Sequence, residues 1–197
     1  VDLLRSYTRY LRQLPVHLSV ARMTEILMGR PTLCVDLLRL FHARFDPDLA
    51  GDRAEAERVA NERVRDTLRL IRAHDEDLLF SSLHALMRAT LRTNFYRDDR
   101  PFHYISFKLD CSKVELMGER RPMFEIFVNH REVEGVHIRF GMVARGGLRW
   151  SDRDDFRTEV LSLATTQVVK NVVIVPVGSK GGFFLKQASR DPAKRRA

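Results

Sequence analysis

Arg145, Gln167, Lys170 and Lys180 fall within 36 consecutive residues, each in a setting that invites chemistry. Arg145 opens Arg145-Gly146-Gly147-Leu148-Arg149, directly after a strand-like run. Lys180 sits in Val177-Gly178-Ser179-Lys180-Gly181-Gly182, where the sequence predicts a glycine-rich turn behind a buried strand. Glycines let a ligand approach the backbone closely, and α/β proteins place their sites at strand ends. Between these segments a helix is expected over about 154–170, with Phe156, Val160 and Leu163 as its apolar stripe. The next positions on that stripe are Gln167 and Lys170. Polar groups in core phase need a buried polar partner, since burying them unpaired costs on the order of several kcal/mol. A pocket holding a carboxylate would supply one. Convergence of Arg145, Lys170 and Lys180 would make an anion site. Repulsion and partial desolvation there would lower a lysine pKa and create a base usable near neutral pH.

Plainer roles stand beside these. Lys170 can complement the negative end of the helix dipole, with Asn171 as the stop. Lys180 can be a solvated lysine on a hairpin, and Arg145 a surface charge in a turn. The Lys180 segment is not a Walker A loop, which needs Ser or Thr after the lysine where this chain has Gly181.

The elements that must hold these residues divide the chain. Leu3, Tyr7, Leu11 and Leu14 recur on one helical face, and Pro15 ends that helix. Ser19 is placed to cap a second helix running to about Met28 before Gly29. Pro31 suits the first turn of a third, carrying Leu33, Leu37, Leu40 and Phe41. Asp46 to Asp52 reads as a loop. A charged fourth helix carries Val64, Leu68 and Ile71, and a fifth, capped by Asp75, turns Leu79, Leu83, Leu86 and Leu91 inward. After Asp98-Asp99-Arg100-Pro101 the period changes to two. Ile105, Phe107 and Leu109 alternate with polar residues. Phe124, Ile126 and Val128 alternate with Glu125, Phe127 and Asn129, and Val136, Ile138, Phe140 and Met142 with His137, Arg139 and Gly141. These are three half-buried strands, expected to be antiparallel neighbours. Val172 to Val175 reads as a fully buried strand. The expected fold is α+β or α/β: a helical segment over 1–100, a mixed-sheet portion over 101–186, and a basic segment over 187–197.

Composition narrows the function classes. The chain has 197 residues, 44% hydrophobic and 30% charged, a globular balance rather than a disordered one. Its net charge of +8 admits nucleic acid, a membrane surface or an anionic substrate. Residues 178–197 alone carry +5, leaving +3 for the rest. Most of the twelve Phe fall in core phase, which argues against a nucleic-acid surface. No run reaches the roughly 18 apolar residues of a membrane span. Cys34 and Cys111 match no zinc or redox spacing, and the seven histidines show no ligand spacing. The expectation is free thiols in a reducing cytoplasm and no metal site. A start at Val1 without a signal peptide suggests an internal piece of a longer chain.

Three motifs in order resemble the glutamate dehydrogenase signature: Arg145-Gly-Gly-Leu-Arg149, Thr165-Thr-Gln-Val-Val-Lys170-Asn171 and Pro176-Val-Gly-Ser-Lys180-Gly-Gly182. Trp150-Ser151-Asp152-Arg153 and the long helical lead-in are similar to the large bacterial NAD-dependent enzymes of that family. The sharp motif covers 145–186, and residues 1–144 resemble the family only loosely. The resemblance implies that Lys180 is the catalytic lysine, activating the water that adds to the substrate iminium. It implies that Gln167 and Lys170 hold the α-carboxylate, and that Arg145, a lysine in the smaller enzymes, binds the side-chain carboxylate. Arg keeps the charge and offers a bidentate fork. The loop before Lys180 is shorter than in those enzymes. The resemblance further implies a substrate-binding domain acting on L-glutamate and 2-oxoglutarate, in a cytoplasmic homo-oligomer without nucleic-acid or membrane partners. NAD would be bound by a Rossmann domain, and a catalytic aspartate supplied, downstream of this chain. No G-x-G-x-x-G occurs here. The 197-residue piece is accordingly expected to be inactive alone. The alternatives are a helical interaction or regulatory module, from residues 1–98, and a basic nucleic-acid-binding domain.

Overall fold

In the computed structural model the described residues are 2–97, 99, 103–119, 121–170 and 177–186, with Val169 and Lys170 given by backbone alone. Five helices come first: α1 (Asp2–Leu11), α2 (Val20–Gly29), α3 (Pro31–Phe45), α4 (Arg53–Arg69) and α5 (His74–Ala89). Their ends follow local chemistry. The Ser19 hydroxyl accepts the Arg22 N–H, Pro31 occupies the first turn of α3, and the Asp52 carboxylate accepts the N–H groups of Ala54 and Glu55. Asp75 is not a cap, because α5 begins one residue earlier. It lies in the first turn, where its charge complements the dipole, and pairs with Arg22 at 3.0 Å.

Among the described residues, seven strands follow α5: β1 (Thr90–Thr93), β2 (Tyr104–Asp110), β3 (Phe124–His130), β4 (Val133–Arg139), β5 (Ala144–Arg145), β6 (Leu148–Ser151) and, after helix α6 (Phe156–Lys170), β7 (Val177–Leu185). The sheet order is β1-β2-β3-β4-β7-β5, with β6 also on β7. Pairings from β1 to β7 are antiparallel, whereas β5 and β6 run parallel to β7, so the sheet is mixed. The three expected strands are antiparallel neighbours as read.

Several local expectations change. Leu91 is not an inward helical residue: α5 stops at Ala89, and the β1–β2 register shifts between Thr90 and Arg92, leaving Leu91 40% exposed. β4 stops at Arg139, and Met142 is 71% exposed in the bend before β5. β3 turns Phe127 and Glu125 inward, both fully buried, rather than Phe124, Ile126 and Val128. The Val172–Val175 strand and the segment 187–197 lie outside the described residues.

One face of the sheet carries the core. Tyr7 stacks on Phe107 with ring centroids 4.4 Å apart, and Tyr10 reaches Phe107 and Phe127 at 5.6 and 5.0 Å. Helical residues such as Leu11, Leu37 and Leu83 share one buried cluster with Phe127, Ile138 and Val160. The helical segment therefore packs directly on the sheet.

Candidate functional site

Helix α6 lies along β7, and glycine lets it approach. A Cβ on Gly182 would stand 2.3 Å from Val160 Cγ2, and one on Gly178 would stand 2.9 Å from Gln167 Cβ. Phe156 stacks on Phe184 with centroids 6.3 Å apart. The buried stripe of α6 is Phe156, Val160 and Ala164, while Leu163 is only half-buried. Gln167 continues that stripe at Gly178. It is half-buried, with Oε1 shielded from solvent and without a hydrogen-bond partner among the described residues.

Lys180 lies within β7, paired with Ile138 of β4, and not in a turn. The glycines around it serve close packing rather than chain reversal: neither Gly178, Gly181 nor Gly182 has a positive φ. Strand alternation puts Gly178, Lys180 and Gly182 on the face covered by α6. Arg145 pairs with Gly178 across the parallel β5–β7 edge and shares that face. A strand spacing of about 4.8 Å and a two-residue step put the Arg145 and Lys180 Cα atoms roughly 8 Å apart. Gly146 fits only as glycine, since a Cβ there would stand 1.7 Å from the Ser179 carbonyl oxygen. Among the described residues, a Cβ on Gly147 would meet nothing within 4 Å. Arg145 is exposed and Lys180 half-buried. Lys170 ends α6, one turn beyond Gln167, and its side chain is outside the described residues. Strand register thus sets Arg145 and Lys180 on the same face near Gly178, where Gln167 packs with an amide oxygen that has no partner among the described residues.

Other site features had no local signal in the sequence. Arg149 pairs with Glu159 at 2.7 Å, and the Ser151 hydroxyl donates to the other Glu159 oxygen at 2.8 Å, tying β6 to α6. Arg157 donates to both oxygens of buried Glu125 at 2.7 and 2.9 Å. Burial opposes the Arg157 charge, but the adjacent carboxylate more than offsets it and holds the guanidinium protonated. Burial, then the Glu125 charge, pushes the Tyr10 hydroxyl and the Cys111 thiol up, so neither ionises at neutral pH. Among the described residues, no group of three or more His, Cys, Asp or Glu is placed to hold a metal ion. No described helix is long and apolar enough to cross a membrane.

The fold class is an α+β mixed sheet with a helical layer on one face. The family model for the bacterial NAD-glutamate dehydrogenase catalytic domain matches residues 63–197, and that for glutamate dehydrogenase helical motif 3 matches residues 1–47. NAD-specific glutamate dehydrogenases of Halomonas elongata and Mycobacterium tuberculosis are 44% and 42% identical to the chain over 95% and 100% of its length. That of Pseudomonas aeruginosa is 40% identical over 100%. The chain belongs to the bacterial NAD-glutamate dehydrogenase family. It spans only 12–13% of the length of these relatives.

Proposed function

We propose that the chain forms the substrate side of an NAD-dependent glutamate dehydrogenase, which oxidatively deaminates L-glutamate to 2-oxoglutarate and ammonia. The observation that carries this reading is the register that sets Arg145 beside Gly178, two residues from Lys180 on β7, with Gln167 packed at the same glycine and its shielded Oε1 without a partner among the described residues. Rotation of that amide presents its NH2 to a carboxylate. Gln167 and Lys170, on one face of α6, hold the α-carboxylate, and Arg145 takes the side-chain carboxylate across the strand edge. Lys180, between them, accepts a proton from the water that attacks the substrate iminium carbon. Gly147 leaves room for that substrate beside Lys180.

The described residues form no dinucleotide-binding turn. The sequence has no G-x-G-x-x-G, and the parallel edge described spans only Ala144–Arg145 and Leu148–Ser151. NAD is therefore assigned to a domain outside this chain. On this reading the isolated 197 residues are inactive, and the full-length enzyme is a cytoplasmic homo-oligomer. A nucleic-acid partner is not favoured, because many arginines of the helical segment are paired with carboxylates, among them Arg30 with Glu76 and Arg58 with Glu55 and Glu62.

The test is glutamate-dependent NADH formation by the full-length enzyme. Lys180→Ala is expected to lower kcat by about 10²–10⁴-fold, the usual contribution of a positioned base. Arg145→Ala is expected to act mainly on KM for glutamate. An unchanged kcat in the Lys180 variant would sink the assignment.

A further inference from the structure

We infer that Gln13, in the helical segment, is a positioning residue for the substrate helix: its amide docks onto the start of α6 and, with the Glu125–Arg157 pair, sets where that helix presents Gln167 and Lys170. The inference rests on the reading of those two residues as substrate-binding.

Gln13 follows α1 and is 8% exposed. Its Oε1 accepts the Arg157 backbone N–H at 3.2 Å, and its Nε2 donates to the Asp154 carbonyl at 2.7 Å. The first N–H groups of a helix have no partner within it and need one from outside. The local candidate, Asp155, has its carboxylate engaged by Arg153 at 2.8 and 2.6 Å. A glutamine 144 residues away takes that place for Arg157. From below, the Arg157 guanidinium is forked onto Glu125 of β3, with side chains 5% and 0% exposed. The first turn of α6 is thus gripped by Gln13, just after α1, on one side and by the sheet on the other.

The far end has no comparable polar grip among the described residues. It rests on Gln167 against Gly178, a contact that limits approach without fixing direction. Gln167 lies ten residues beyond Arg157, about 15 Å along the axis, so a tilt of roughly 4° moves it about 1 Å. Displacements of that size at positioning groups cost up to about 10²-fold in rate. Gln13 lies in the segment matched by the helical motif and α6 in that matched by the catalytic domain, so the two family segments meet at this helix.

The experiment uses the full-length enzyme carrying Gln13→Leu, close in size and without either hydrogen bond, and Gln13→Glu, which retains the acceptor for the Arg157 N–H. Gln13→Leu is expected to raise KM for glutamate about tenfold, with smaller changes in kcat, in KM for NAD and in Tm. Gln13→Glu is expected to recover part of the lost glutamate affinity. Unchanged kinetics, or equal losses in both KM values that track a fall in Tm, would overturn the inference. A fully active Lys180→Ala enzyme would instead overturn the reading of the site.

Discussion

Replacing Gly182 by alanine tests the α6–β7 contact with one methyl group. Gly182 is flanked by Val136 on β4 and Arg149 on β6, so the strand cannot slide aside. The new Cβ would stand 2.3 Å from Val160 Cγ2, whereas carbon–carbon contacts settle at about 3.5–4.0 Å. Val160 has little rotamer freedom in a helix, so α6 must retreat by more than about 1 Å. That retreat separates Phe156 from Phe184 and exposes the buried Ala164. Overpacking of this kind costs about 1–3 kcal/mol, partly offset by the 0.5–1 kcal/mol that alanine gains over glycine within a strand, leaving a net loss of up to about 2.5 kcal/mol. Urea unfolding should show a lower midpoint at constant m, and kcat/KM for glutamate should fall in the full-length enzyme. Val160→Ala alone should cost about 1.6 kcal/mol from two lost methyl groups. Combined with Gly182→Ala it vacates the space the new methyl needs. The double variant should therefore be more stable than the sum of the single effects by roughly 1–2 kcal/mol. Strict additivity of the two substitutions would refute the packing of α6 on β7 through this glycine.

Two further expectations concern charge. Arg157→Met strands Glu125 as an uncompensated buried carboxylate and should destabilise the protein by about 3–5 kcal/mol, measured by urea unfolding; a loss below about 1 kcal/mol would contradict burial of the pair. Burial, aided by Arg88 and Arg65, pushes His84 from 6.5 down to about 4 while its Nε2 meets Asn61 Oδ1 at 2.8 Å. Below pH 6.5 the unfolded chain takes up the proton first, so stability falls as pH drops from about 6.5 to about 4 and levels below that. His84→Gln should flatten Tm across that window, and an unchanged acid slope would refute the assignment.

The sequence determined what depends on neighbours along the chain. Ser19, Pro31 and Asp52 mark helix starts because capping acts within three residues. The period-two pattern gave the three antiparallel strands, and the stripe of α6 reached Gln167 at the position where the structure sets it against Gly178. The ordered glycine motifs were enough for the family. Tertiary structure decided what depends on pairing between distant segments. Lys180 reads as a turn residue because glycine usually marks chain reversal, yet Gly178 and Gly182 are small because a helix lies on them. Which face of β3 is buried was set by α1 and by Arg157, not by hydrophobic count: Glu125 goes inside because a guanidinium 32 residues later meets both its oxygens. Gln13 carries no local sign of its role, since its partners, Asp154 and Arg157, are 141 and 144 residues away. A side chain's type and its neighbours fix what it can bond; only the packed sheet and helices fix which partner comes within 3 Å.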